Sequence, residues 1–313
     1  MRGIYHIEGT EMFGYSTINR YLYSLYIYKN TVKGVTDLYP NASVLDLRGY
    51  VAHFCYRRLK AFDTLIKVVV EHKDYISATC ILRMLGDSVA VFNLVYLEPD
   101  IDMLLLRHAL YVIDGCEENL KVLPNNDFNR GTMPNEEVEV FNEKLRFNME
   151  LRKRLMQEAQ QILDASPLQN KNKDAYDQIV KERNWKFKTF KTYKKGTNQY
   201  KWAELYEKIG RCEGYDVLTF LSQYIHSLSM SNIVMEMNQE NCDGVLIEGL
   251  ALLKKLNEYT LEFFQPNFLH IMEGFYEPKM RDQILSCYDD AHRPSIEKWN
   301  EIVRSSINHA YGN

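Results

Sequence analysis

YISATCILRMLGDSVAVFNLVYL, the sequence from Tyr75 to Leu97, has the composition and spacing of a buried α-helix. Asp74 is a suitable N-cap in front of it, and Pro99 stops it soon after its last apolar residue. Its most apolar run, from Ser88 to Leu97, is about half the length needed to cross a bilayer. The stretch therefore predicts a core helix of a soluble protein rather than a membrane span.

The same helical period continues along most of the chain, and regular alternation of apolar and polar residues is hard to find. Eight prolines and fifteen glycines are few for 313 residues. A first helix contains Ile18 to Tyr26, and further helices are predicted at about 45–70, 100–122, 135–165, 175–184, 201–209, 215–235, 241–264 and 295–309. No repeat of solenoid length is visible. We therefore predict an all-α fold, a multi-helix bundle.

The length allows one large helical domain or two modest ones. We predict a single domain over residues 1–313, with a candidate joint at 166–174 that would separate 1–165 from 175–313. The joint is suggested by the polar sequence PLQNKNKD, which runs from Pro167 to Asp174 between two helical patterns.

The overall composition excludes several classes of protein. The apolar fraction is 46%, the charged fraction 26% and the net charge −4, which argues against a protein coated in basic surface. Six widely spaced cysteines form no CxxC pair, and the N-terminus lacks the apolar core of a signal peptide. Phosphate loops, dinucleotide fingerprints and nucleophile elbows are absent. We predict a cytoplasmic protein with no cofactor and no membrane association.

Two predicted helices each carry a polar pair on an otherwise apolar face. Ser222 and His226 lie four residues apart in YDVLTFLSQYIHSLSMS, and Arg83 and Asp87 have the same spacing in the helix quoted above. Side chains at i and i+4 project from one face of a helix, and buried polar groups need hydrogen-bonding partners. Two interpretations stay open: the four residues converge in a catalytic pocket, or they form a structural network between the helices.

These residues also carry a resemblance. The chain resembles a group of bacterial helical proteins of unknown function that have one helix of type LR-x3-E/D, a later Trp, and a helix of type Y…LS-x3-H. The matching residues are Leu82-Arg83 with Asp87, then Trp185, then Tyr215 with Leu221-Ser222 and His226, so the resemblance covers roughly Ile66 to Ser231. This sequence departs from the pattern by its Asp in place of Glu and by a basic insertion after the Trp. The resemblance implies no activity.

The insertion forms the most basic segment of the chain, KERNWKFKTFKTYKKGTNQYK from Lys181 to Lys201. Eight basic residues stand against one acidic residue, a net charge of +7, with five aromatic residues among them. Lysines with stacking aromatic rings suit single-stranded nucleic acid. The predicted RNA- or polyanion-binding residues are Trp185, Lys186, Lys188, Lys191, Lys194 and Lys195. The alternative is a surface excursion with aromatic residues packed inward. We predict that the segment protrudes from the bundle and is the least helical part of the chain; WKFKTFKTYK is also typical of a short β-hairpin at 185–200.

Two Arg-x4-His sequences, Arg48 to His53 and Arg304 to His309, resemble the signature of HEPN-type ribonucleases, small helical bundles of bacterial toxin and phage-defence systems. The resemblance implies that a dimer uses the pair at the scissile phosphate, with the Arg stabilising charge and the His transferring protons. Metal chemistry is not predicted, because the paired Glu-x2-His motifs and extra carboxylates of a di-metal bundle are missing.

Two hypotheses of function follow. The first is a distantly HEPN-like, RNA-acting toxin or phage-defence effector that works as a homodimer and holds RNA on the basic segment. The second is a non-catalytic helical binding or scaffold protein whose polar centre is structural.

Overall fold

The computed structural model describes residues 15–122, 134–210 and 239–311. Within these ranges the regular elements are helices, and the predicted all-α, multi-helix fold is confirmed. The helices of the described residues are α1 Thr17–Leu38, α2 Leu47–Lys67, α3 Tyr75–Tyr96, α4 Ile101–Val122, α5 Asn135–Asp164, α6 Leu168–Lys171, α7 Lys173–Lys181, α8 Trp202–Lys208, α9 Gln239–Phe263, α10 Phe268–Glu273, α11 Pro278–Leu285 and α12 Ile296–Tyr311.

The chain divides into two compact units. Unit 1 comprises Met1–Ala42, Arg48–Leu97 and Trp202–Asn313, and unit 2 comprises Ser43–Leu47 and Glu98–Lys201. The stretch 166–174, which the sequence suggested as a joint, lies inside unit 2 and forms α6 and the start of α7. Its polar character reflects a surface turn, in which the Asn172 side chain caps α7 by accepting a hydrogen bond from the Ala175 amide.

Local sequence signals place the ends of α2 and α3. The carboxylate of Asp74 accepts a hydrogen bond from the Ser77 amide at 3.0 Å, as expected of an N-cap. Before it, α2 widens into a π-helical turn, Val68–His72, and Lys73 then adopts the left-handed conformation with φ 51°. Among the described helices, α3 is the one long and apolar enough to cross a membrane, and 67% of its most apolar window is buried within the fold.

The core of unit 1 is built around α9, which packs against α1 and α3. Gly249 of α9 permits close packing here, because a Cβ there would lie 2.9 Å from Leu65 Cδ2 and 3.0 Å from a ring carbon of Tyr21. The short helices α10 and α11 were not predicted. Pro266 and Pro278 interrupt the helical period in this part of the chain, and each begins a short helical element instead.

The core of unit 2 is built on the packing of α4 against α5. Leu104, Leu106 and Ile113 of α4 are buried, as are Leu145 and Leu163 of α5. The imidazole of His108 lies in this core, where Nε2 donates a hydrogen bond to the carbonyl oxygen of Val44 at 3.0 Å. This bond holds the short segment Ser43–Leu47 in unit 2, although the rest of that part of the chain belongs to unit 1.

Candidate functional site

The first candidate site is a three-residue cluster within unit 1, formed by Arg83 and Asp87 of α3 and Tyr206 of α8. Arg83 Nη1 donates to the Asp87 carboxylate and contacts the Tyr206 hydroxyl, and Tyr206 donates to Asp87 Oδ1 at 2.5 Å. The Arg83 guanidinium also lies over the Tyr206 ring, 4.9 Å from its centroid. The predicted pairing of Arg83 with Asp87 therefore exists, and a tyrosine joins it.

Burial differs among the three members of this cluster. The Arg83 side chain is 11% exposed and the Asp87 side chain is 34% exposed, while Tyr206 is fully buried. A poorly hydrated guanidinium is costly unless its partners compensate, and the carboxylate with the tyrosine ring does so here.

Tyr206 was missed by sequence reasoning. Trp202 and Tyr206 lie four residues apart in WAELYEK, and their rings stack with centroids 6.0 Å apart. This spacing predicts an aromatic helix face. It carries no information about the distant residue Arg83, which lies 123 positions earlier in the chain.

The other two predicted catalytic residues, Ser222 and His226, lie outside the described residues. Their convergence with Arg83 and Asp87 in one pocket therefore stays a prediction, as does the proximity of the Tyr215 helix to α3.

The Arg-x4-His pair nearer the N-terminus makes contacts that fix a helix junction. Arg48 Nη1 donates to the Tyr39 hydroxyl at 3.0 Å, and that hydroxyl donates to Asn267 at 3.0 Å. His53 Nε2 donates to the carbonyl oxygen of Pro40 at 2.9 Å. Both side chains thus hold the segment that follows α1. This arrangement favours a structural role for the pair.

The second Arg-x4-His pair, Arg304 and His309, lies in the second half of α12. Both side chains are exposed, and the helix positions that separate them are occupied by polar residues and Ile307. An exposed Arg and His are accessible to a large ligand such as RNA. Of the two pairs, this is the one in which both residues are exposed; Arg48 is exposed and His53 is half-buried.

The second candidate site is the basic loop, defined as residues 182–201 between α7 and α8. It is the longest non-helical segment within the described ranges, as predicted, and its β character is limited to one antiparallel bridge between Phe187 and Gln199. Tyr200 N–H donates to the Lys186 carbonyl at 2.9 Å across this bridge. The loop is therefore a closed, hairpin-like turn rather than a pair of strands.

The aromatic residues at the base of the loop point into unit 2. Trp185 is 5% exposed and donates from Nε1 to Asp114 Oδ2 at 3.0 Å, and its ring packs edge-on against Tyr111. Phe187 is fully buried beneath the Arg107 guanidinium, 4.0 Å from its ring centroid. Trp185 was predicted to stack on a nucleic-acid base, but its burial leaves no free ring face for this. Trp185 and Phe187 are thus packed inward, while Phe190, Tyr193 and Tyr200 are half-buried.

Arg107 fixes the base of the loop from α4. Its Nη1 donates to the Trp185 carbonyl at 3.0 Å, and its Nε lies 3.5 Å from Glu98 Oε2. Burial lowers the pKa of the Arg107 guanidinium, while Glu98 opposes that shift. No sequence pattern predicts this role, because Arg107 is one polar residue within an amphipathic helix.

Two asparagines hold the loop closed. Asn198 is buried; its side chain accepts from the Thr189 amide at 2.9 Å and donates to the Thr189 carbonyl at 2.6 Å. Asn184, also buried, donates to the Asn198 carbonyl at 2.9 Å. Gly196 turns the chain at the tip with φ 80°, a conformation that favours glycine. The tip therefore has a defined backbone conformation.

The predicted polyanion-binding lysines divide into two groups. Lys186 is half-buried with Nζ 5.4 Å from the Trp185 ring centroid, and Lys188 is exposed with Nζ 5.4 Å from the Tyr200 ring centroid. Lys191, Lys194 and Lys195 are exposed near the tip, and no described carboxylate pairs with them. The loop thus presents at least three solvated cations on a backbone that is internally hydrogen-bonded.

Two His–carboxylate pairs have a spacing that could ligate a metal ion from one helix face. His292 Nδ1 lies 2.8 Å from Asp289, and His270 Nδ1 lies 3.8 Å from Glu273. Within the described ranges, no three His, Cys, Asp or Glu side chains are placed to hold a metal ion together.

Comparison with known proteins yields no match for this chain among family models, curated proteins or solved structures. The resemblance to the helical bacterial family and to HEPN-type ribonucleases therefore stays a prediction from the motifs quoted above.

Proposed function

We propose that the protein binds RNA, or another polyanion, through the basic loop. The observation that carries this proposal is the group of three exposed lysines, Lys191, Lys194 and Lys195, on a loop whose backbone is fixed by buried asparagines. A fixed array of cations suits a string of phosphates, because less conformational entropy is lost when the ligand binds. The ligand we favour is single-stranded RNA.

The burial of Trp185 and Phe187 shapes the expected mode of binding. Base stacking on those rings is unavailable, so the contacts would be mostly ionic and directed at phosphate groups. Such binding is expected to depend weakly on RNA sequence and strongly on salt. Phe190 and Tyr200 are half-buried and leave some aromatic surface beside the lysines.

The binding test replaces the tip lysines by glutamate in the variant Lys191→Glu/Lys194→Glu/Lys195→Glu. We expect this variant to lose measurable binding to a labelled single-stranded RNA in fluorescence anisotropy. The milder variant Lys191→Gln/Lys194→Gln/Lys195→Gln removes the three phosphate contacts without reversing their charge, and the slope of log K against log salt should then fall in magnitude by about 2. Duplex DNA and heparin, measured alongside, distinguish RNA from other polyanions.

A matched control carries the same change in net charge on unit 1, at the exposed residues Lys29, Lys254 and Lys279. This control should retain RNA binding, because the proposal assigns binding to the loop and not to net charge. Equal weakening of both variants, or a wild-type protein that binds none of the polyanions, would refute the proposal.

The catalytic part of the proposal is a HEPN-like, RNA-acting toxin or phage-defence effector in the bacterial cytoplasm. It is supported by the Arg304–His309 spacing together with the exposure of both side chains. His309→Ala and His226→Ala should each lower RNA cleavage, or growth arrest on expression, by roughly 10²–10⁴-fold if the residue acts as a general acid or base. Retained cleavage in both variants would refute these assignments.

A second candidate function is a non-catalytic binding or scaffold protein. It is favoured by the Arg83 cluster of unit 1, in which the Arg83 guanidinium already has hydrogen-bonding partners in the Asp87 carboxylate and the Tyr206 hydroxyl. A cluster satisfied by its own neighbours stabilises the packing of α3 with α8 and needs no ligand. RNA binding without cleavage would support this candidate.

A further inference from the structure

Helix α5 has two apolar faces. Leu145, Ala159 and Leu163 are buried on the first face, and α5 packs against α4. Val140, Phe147 and Leu151 are 50%, 69% and 39% exposed. Intervals of seven and four residues place these three on one side of a helix, roughly opposite the buried face.

The second face is hereafter called the exposed stripe: Val140, Phe147 and Leu151. It is about 17 Å long, from eleven residues at about 1.5 Å each. Soluble monomers rarely expose several large apolar side chains together on one helix, and such patches commonly mark interaction sites. The stripe therefore needs an occupant.

The charges beside the stripe are distributed unequally along α5. Four exposed glutamates lie toward the N-terminus of the helix, and three basic residues follow one another near its middle. The acidic residues are Glu136, Glu137, Glu139 and Glu143. The basic residues are the exposed Lys153 and Arg154 and the half-buried Arg152, which donates to Asn119 of α4; Lys144, Arg146 and Glu150 lie between the two groups. This polarity makes the surface self-complementary when two copies of α5 lie antiparallel, because each acidic end then meets a basic end. Parallel pairing would oppose like charges.

We propose that the exposed stripe is the contact surface of an antiparallel homodimer. A two-fold axis near residue 145 places Val140 of one copy opposite Leu151 of the other and brings the two Phe147 rings close together. Glu137 then lies opposite Arg154, which is 74% exposed. An isologous contact of this kind is the commonest way in which a chain associates with itself.

The size of the stripe sets the expected strength of the dimer. Stable interfaces bury about 800 Å² on each partner, more than three or four side chains supply. We therefore expect a reversible dimer with a dissociation constant on the order of micromolar, in the range of weak specific contacts. Within one chain, Arg154 pairs with Glu158 at 3.2 Å. In the dimer, Arg154 can pair instead with Glu137 of the other copy.

The first test is sedimentation velocity of the full-length chain, purified free of nucleic acid so that bound RNA cannot link two copies. We expect wild type to pass from monomer to dimer as its concentration rises through the micromolar range. Phe147→Asp should stay monomeric at concentrations at least tenfold higher. The control Ile101→Asp changes a side chain of unit 2 that is 58% exposed and lies outside the stripe, and it should dimerise like wild type.

A charge-exchange experiment tests the antiparallel arrangement. One variant carries Glu136→Lys, Glu137→Lys and Glu139→Lys, and the other carries Lys153→Glu and Arg154→Glu. Each variant alone should be monomeric, because like charges then meet at both ends of the interface. An equimolar mixture should dimerise, because opposite charges meet again.

Three outcomes would overturn the proposal: wild type that is monomeric at every concentration, a dimer that survives Phe147→Asp, and a charge-exchange mixture that stays monomeric. Monomeric wild type would mean that another segment of the same chain, or a different partner, occupies the stripe. All the variants alter exposed side chains, and far-UV circular dichroism establishes that they fold. The experiment is independent of RNA binding, so its failure would leave the proposed binding of RNA by the basic loop untouched, whereas a monomeric wild type would also count against a HEPN-like dimeric enzyme.

Discussion

The buried imidazole of His108 should make the stability of unit 2 depend on pH. His108 is fully buried, and its Nε2 donates to the Val44 carbonyl oxygen at 3.0 Å. Burial lowers the pKa of His108 from 6.5 to about 4, because the charged imidazolium would lose its hydration in this core. The hydrogen bond to Val44 opposes that shift without cancelling it.

The direction and size of the effect follow from proton binding. The unfolded chain binds a proton at His108 below pH about 6.5, whereas the folded chain does so only near pH 4. The contribution of His108 to stability is therefore fully present above pH about 6.5 and is lost as the pH falls toward 4. At about 1.4 kcal/mol per pH unit, the loss is ~2 kcal/mol between pH 7 and pH 5, and ~3 kcal/mol in total.

The measurement is urea unfolding of wild type and His108→Gln at pH 7 and pH 5, followed by circular dichroism. Hydrogen exchange of α4 peptides identifies the transition that belongs to unit 2. Glutamine can donate to the Val44 carbonyl but cannot be protonated, so the variant should lose about 2 kcal/mol less than wild type on acidification. The control His53→Gln removes an imidazole outside the core of unit 2 and should keep the wild-type pH dependence. Equal losses in wild type and His108→Gln would refute the reasoning.

Two further substitutions test the candidate sites. Tyr206→Phe keeps the buried ring but removes a hydroxyl that contacts Arg83, and should destabilise unit 1 by about 1–3 kcal/mol in thermal unfolding; an unchanged melting temperature would show that this hydroxyl contributes nothing. Asn198→Ala removes the bonds to the Thr189 backbone, and hydrogen exchange across 186–200 should accelerate. The control Asn170→Ala alters an exposed asparagine of the same unit, and equal acceleration in both would argue against a closing role for Asn198.

The candidate site was only partly accessible from sequence. The i, i+4 pairing of Arg83 with Asp87 follows from helical geometry and is observed. Tyr206 joins them from another helix, and the spacing of residues within one helix says nothing about which helix will pack against it. The loop shows the same limit: its charge is a property of composition, but the inward orientation of Trp185 depends on Asp114, 71 residues away.

The sequence by itself determined the long helices of the described residues, but not the short helices α10 and α11. Their starts and ends depend on interactions within a few residues, such as the Asp74 cap and the interruption at Pro99, and these act wherever the segment lies in the fold. The tertiary structure alone decided how the helices are divided into units and which polar residues meet. Ser43–Leu47 joins unit 2 through a bond from His108 to Val44 across 64 positions, and only packing brings such distant residues together. Contacts of this kind depend on the shape and burial of surfaces that do not exist until the chain has folded.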